Sequence, residues 1–150
     1  MSGLATAGAG FLLAVLWMDL MFDVQVLRHR GAKPALPDPV LASIAGYYRR
    51  VTTEASPMGR AVGLVMLATL GALLGDWLRG ARPAWLCLAS FALAAAPIAL
   101  AGLRVVPNAV RLGARRDPPA EQSRLARAIC RDHLLCLASV GALLAVRLGT

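Results

Sequence analysis

Residues 58–78 read MGRAVGLVMLATLGALLGDWL, a run of Leu, Val, Ala, Met and Gly in which polar and apolar positions do not alternate. A helix rises about 1.5 Å per residue, so roughly 20 such residues cover the roughly 30 Å of hydrocarbon in a bilayer. A strand of a membrane barrel would alternate, whereas a continuous apolar run satisfies its own backbone hydrogen bonds only as a helix. The stretch therefore predicts a transmembrane helix.

Outward from it lie three more blocks of the same kind, at residues 4–27, 83–103 and 129–148. Over its 150 residues the chain is 58% hydrophobic, and its mean hydropathy is +0.63. That composition excludes an ordinary soluble domain. The expected fold class is an all-α integral membrane protein: a four-transmembrane-helix bundle forming a single domain over residues 1–150, with connections at 28–57 and 104–128. The first block has no basic run before it and is followed by Arg28 and Arg30, so it reads as a retained span rather than a cleaved signal.

The charges give an orientation. Sixteen basic residues against eight acidic ones leave a net charge of +8. The first connection and its flanks hold Arg28, Arg30, Lys33, Arg49, Arg50 and Arg60; the last holds Arg104, Arg111, Arg115, Arg116, Arg124 and Arg127; the short middle one has only Arg79 and Arg82. The positive-inside rule puts both long connections in the cytoplasm and both termini outside an inner (plasma) membrane, with Trp77 and Trp85 as interfacial belt residues on the short hairpin. The basic connections point to the anionic headgroups of the lipid bilayer as partner and not to nucleic acid. All basic residues except Lys33 are arginine, whose planar fork suits phosphate. The same preference suggests a GC-rich bacterial genome.

In the first connection Pro37, Asp38 and Pro39 place a capping carboxylate before a proline at the first helical position. Leu41, Ile44, Ala45, Tyr48, Val51, Thr52 and Ala55 then recur at helical spacing, which predicts an amphipathic cytoplasmic helix over 39–55, lying on the membrane or on the bundle and broken at Ser56 and Pro57. Tyr47 and Tyr48 read as interfacial anchors. In the last connection Asp117 is the expected cap of a helix opening at Pro118 and Pro119 and running through Arg124 and Arg127 into the fourth span. Gly63, Gly71 and Gly75 fall near one face of the second span, a pattern that packs helices within the bundle or joins two copies. Cys87, Cys130 and Cys136 form no CxxC pair and read as small apolar packing residues.

The unusual feature is a polar layer. Asp19 and Asp23 are four apart and share a face with Gly8, Leu12 and Val15, so they point inward. Two carboxylates in apolar surroundings cannot both stay ionised without partners. The expected partners are Arg104 and Arg111, on one stripe of the third span with Asn108. The charge-free part of the fourth span, Leu134 to Val146, is 13 residues, about 20 Å long and too short to cross alone. Arg131, Asp132 and His133 therefore belong at the cytoplasmic edge, with Asp132, Cys136 and Ser139 facing inward.

Three readings of this layer stand open. It is a structural set of ion pairs among Asp19, Asp23, Arg104, Asn108, Arg111, Arg131 and Asp132, in a small accessory or scaffolding protein with a second copy or another membrane protein as partner. It is an active site for a lipophilic substrate, with Asp19, Asp23, Asp132 and His133 in acid/base roles or with Asp19, Asp23 and His133 holding iron, manganese or zinc. Or it carries protons or ions through an oligomer. No cofactor is firmly implied.

Overall fold

Helix follows helix along the chain, and no strand occurs among the described residues, 2–29 and 35–149 of a computed structural model. Helix α1 spans Ser2–Asp23 and tightens into a 3-10 segment, Val24–His29. Helix α2, Asp38–Arg49, widens into a π turn at Arg50–Glu54. Then come α3, Ser56–Leu78, and α4, Ala84–Leu100. A second π turn, Ala101–Val105, joins α4 to α5, Val106–Ala114, and α6 covers Pro119–Leu148. Arg30 and Lys33, counted in the orientation argument, lie outside the described residues.

Among the described residues, four helical stretches are long and apolar enough to cross a membrane: Gly3–His29, Pro57–Leu78, Ala84–Ala114 and Pro119–Leu148. Their outward faces suit lipid, with Leu64 and Leu67 each 67% exposed and Leu103 79% exposed. The third stretch departs from expectation, since the helix does not stop near residue 103 but continues to Ala114. Pro107 offers no N–H to the carbonyl one turn back, and the turn before it opens so that the N–H of Val106 reaches the carbonyl of Ala101.

Both expected aspartate caps are corrected. Pro37 and Pro118 occupy the capping positions, and neither helix has a side-chain cap. Asp38 is the first residue of α2, where the positive end of the helix dipole favours it, and it pairs with Arg115. Asp117 pairs with Arg111 at 3.0 Å, and its backbone carbonyl accepts from Gln122. Arg115 ends α5 in the left-handed region, φ 51°.

The long helices close a ring in which α1 lies against α3 and α6, and α4 against the same two. Ala5, Ala9, Leu12, Leu73, Ala94, Val140 and Leu143 form its core. A second core gathers Val26, Leu36, Leu41, Ile44, Tyr48, Leu112, Leu125 and Ile129. It fixes α2 on the ring and on α5, so the amphipathic helix rests on protein. The backbone N–H of Leu36 donates to Ser123 Oγ at 2.8 Å and ties down the approach to α2.

Gly63, Gly71 and Gly75 make no close approach to another helix within the bundle, which leaves the joining of two copies as the remaining form of that expectation. A methyl group added at Gly63 or Gly71 would meet open space, and one at Gly75 would meet only Arg79 of its own helix. The close approaches are elsewhere. Gly8 of α1 lies under Thr69 of α3, and Gly113 of α5 lies so near α2 that an added Cβ would come within 2.8 Å of the Arg49 backbone nitrogen. In a chain this rich in small residues, the spacing of glycines does not decide which face turns inward.

Candidate functional site

Asp19 and Asp23 do share the inward face of α1, and Asp23 is wholly buried. Above them lies α2, held in the second core by Leu41, Ile44 and Ala45 and packed chiefly on α5, and its adjacent tyrosines each reach one carboxylate. Tyr47 donates to Asp19 Oδ1 at 2.6 Å and Tyr48 to Asp23 Oδ1 at 2.7 Å. Phe22 stacks on Tyr47, with ring centroids 4.1 Å apart, and holds that ring over α1.

From α6 comes His133, whose Nδ1 is 2.6 Å from Asp23 Oδ2 and whose Nε2 is 3.8 Å from Asp19 Oδ2. The hydrogen-bond pattern assigns the protons. Tyr48 has one proton and gives it to Asp23, so its 3.4 Å approach to His133 Nδ1 is a contact within the cluster. His133 then presents Nδ1–H to Asp23, which leaves Nε2 turned toward Asp19. Burial, followed by the carboxylate each one bonds, pushes both phenols well above the ordinary tyrosine range. Both therefore remain protonated donors at any physiological pH.

These contacts correct the expected pairing of Asp19 and Asp23 with Arg104 or Arg111. Arg104 instead stands 3.3 Å from Asp132 Oδ2, and Arg131 stands 3.2 Å from Oδ1 of the same buried carboxylate. Arg111 reaches Asp117 and Glu121 at the opening of α6. Asn108 is half-buried on α5 and outside this set. The expected stripe assumed an unbroken α-helix through residues 97–111. The π turn inserts a residue's worth of rotation, about 100°, and sends Arg104 and Arg111 to different neighbours. The polar face expected on α6 is present: Ser139 Oγ donates to the Leu93 carbonyl at 2.9 Å, and Cys136 faces the Pro97 carbonyl. Leu93 is free to accept because Pro97, four residues on, has no N–H.

A second polar centre was missed in the sequence. Arg147, buried near the end of α6, bonds Asp76 Oδ2 at 2.6 Å, and Arg79 lies 3.3 Å from Asp76 Oδ1. The signal was present: an acid and a base stand near the ends of two apolar blocks, and those ends fall on the same side of the membrane in the expected topology.

The arrangement has the parts of an acid/base relay: an imidazole oriented by one carboxylate, a second carboxylate facing its other nitrogen, and two phenols as fixed donors. Among the described residues no group of three or more His, Cys, Asp or Glu side chains is placed to hold a metal ion. A cleft of about 460 Å³ lies nearby, but it is lined by Val26, Leu27, Arg127, Cys130, Arg131, Leu134 and Leu135 and by none of the cluster residues. No protein-family model, curated protein sequence or solved structure matches this chain.

Proposed function

We propose that this chain is a small multi-pass inner-membrane protein of accessory or scaffolding type, in which the polar layer acts as a clamp. Both termini are then non-cytoplasmic, and α2 rests on the cytoplasmic end of the helices, among anionic headgroups. The carrying observation is that Asp23, Tyr48 and His133 are all buried and bond one another, joining α1, α2 and α6. A group that turns over substrate must be reached by it, whereas a clamp must be closed. The outward face of α3 at Gly63 and Gly71 is open for a second copy or a membrane-protein partner.

The test is a double-mutant cycle on Tyr48→Phe and Asp23→Asn in detergent, read by thermal unfolding and folded yield. A clamp predicts that each single change costs about 1–3 kcal/mol and that the pair costs clearly less than the sum. Wild-type stability in both singles defeats the reading.

A membrane-embedded acid/base or metal-dependent enzyme is the second reading. It is favoured by the gap of 3.8 Å between His133 Nε2 and the partly accessible Asp19 carboxylate. Elemental mass spectrometry on the wild type and on an Asp19→Asn, His133→Ala variant addresses its metal form. Near-stoichiometric iron, manganese or zinc that disappears in a folded variant would replace the clamp with a metal centre.

A further inference from the structure

The cleft beside the cluster has walls of two kinds. The 3-10 segment supplies Val26 and Leu27, and α6 supplies Arg127, Cys130, Arg131, Leu134 and Leu135. Along α6 these residues form one face in a fixed order. The arginines stand toward the α5–α6 connection and the leucines toward the middle of the helix ring, a run of about 10–12 Å from Arg127 to Leu134 and Leu135. The cleft opens at the perimeter, where Leu135 is 57% exposed. A molecule lying in a surrounding bilayer reaches it sideways.

The charge of the cleft is uneven. Its lining has two arginines and no acid. Asp132, the carboxylate next to Arg131, is shared between Arg131 and Arg104, one negative charge against two positive ones. Guanidinium forks bind phosphate oxygens in pairs, and desolvation by apolar walls strengthens that attraction.

We propose that this cleft is a binding site for one anionic phospholipid. Its phosphate sits against Arg127 and Arg131, and the upper part of an acyl chain lies along Val26, Leu134 and Leu135. A volume of about 460 Å³ is within the ordinary range of ligand pockets, roughly 300–1,000 Å³. It holds a headgroup phosphate and the start of a chain, and the rest of the lipid stays in the bilayer. Inorganic phosphate would use the arginines but leave the apolar walls wet, so the geometry favours the lipid over the free ion.

Native mass spectrometry of the detergent-purified protein tests this, with phosphatidylglycerol and phosphatidylcholine of identical chains titrated separately. One phosphatidylglycerol is expected to be retained at least about tenfold more tightly than phosphatidylcholine. Arg127→Gln should weaken it several-fold, and Leu135→Trp, which fills the cleft and leaves its charge intact, should do the same. Arg50→Gln with Arg60→Gln removes twice the charge of Arg127→Gln, at exposed positions elsewhere, and should leave binding unchanged. Arg131→Gln also frees Asp132, so the two variants that spare that ion pair decide the matter. Equal retention of the two lipids, or unchanged binding in both Arg127→Gln and Leu135→Trp, overturns the site. Displacement of the lipid by millimolar inorganic phosphate overturns the choice of lipid as occupant.

Discussion

The two polar centres, one at each end of the long helices, are built on different principles. At one end Asp19 and Asp23 meet a histidine and two phenols drawn from α2 and α6, with neutral donors doing most of the bonding. At the other end Asp76 meets Arg147 and Arg79 in a plain ion pair between α3 and α6. The two lie about 21 Å apart along α6, taking the rise from His133 to Arg147. The first centre ties a whole helix, α2, to α1 and α6. The second links α3 and α6 across the ring, where the two face each other between α1 and α4. Removing a member should therefore have very different consequences at the two ends.

The largest effect is expected for Asp23→Ala. It strands the Tyr48 hydroxyl and His133 Nδ1 together in a buried site, and leaving a buried polar group unsatisfied costs about 1–3 kcal/mol for each. Thermal unfolding in detergent, with protease cleavage near α2 as a second readout, checks it. A loss as small as an ordinary interhelical hydrogen bond in lipid, about 0.6 kcal/mol, would mean that α2 is held by its apolar face alone.

Alkaline pH separates the two ends without mutation. The Tyr47 and Tyr48 phenols are raised above the unfolded tyrosine value of about 10. A raised group favours its protonated form in the fold, so its contribution is full below about pH 10 and is lost as pH climbs above it. Stability should fall in that window as the ultraviolet tyrosinate band appears with unfolding. In a Tyr47→Phe, Tyr48→Phe variant the fall should be much shallower. The Asp76–Arg147 pair contains no phenol and contributes nothing to this loss. An equal alkaline loss in the double variant would move the titrating group elsewhere.

The smallest effect is expected at the other end. Replacing both partners, Asp76→Leu with Arg147→Leu, exchanges a buried pair for apolar packing and should leave stability within about 1 kcal/mol of wild type. Arg147→Leu alone should cost more than the double change, because Asp76 keeps only Arg79. A double variant that unfolds would make the pair an organising centre equal to the first.

Much of the inner centre was legible, but not its pairing. The i, i+4 carboxylates on α1 and the inward face of Asp132, Cys136 and Ser139 followed from helical geometry. Tyr47 and Tyr48 read as interfacial anchors, and nothing local ties them to the acids 28 and 25 positions away that they bond in the structure. Arg104 carried the opposite problem. It looked like the natural partner for Asp19 because the stripe was drawn on a straight helix.

The sequence by itself determined the quantities that each segment carries alone: four apolar lengths sufficient to cross a membrane, an amphipathic segment between the first two, and basic residues concentrated in two connections. These depend on periodicity and solvation within one stretch of chain. Tertiary structure alone decided which donor meets which acid and which glycines allow close approach. Those outcomes depend on the docking of α2 on α5 and against the ends of α1 and α6, on the packing of α1 on α3, and on one wide turn before Pro107. Rotation accumulates along a helix, so a local change of turn redirects every side chain beyond it, and no pattern confined to one span records where the neighbouring helix lies.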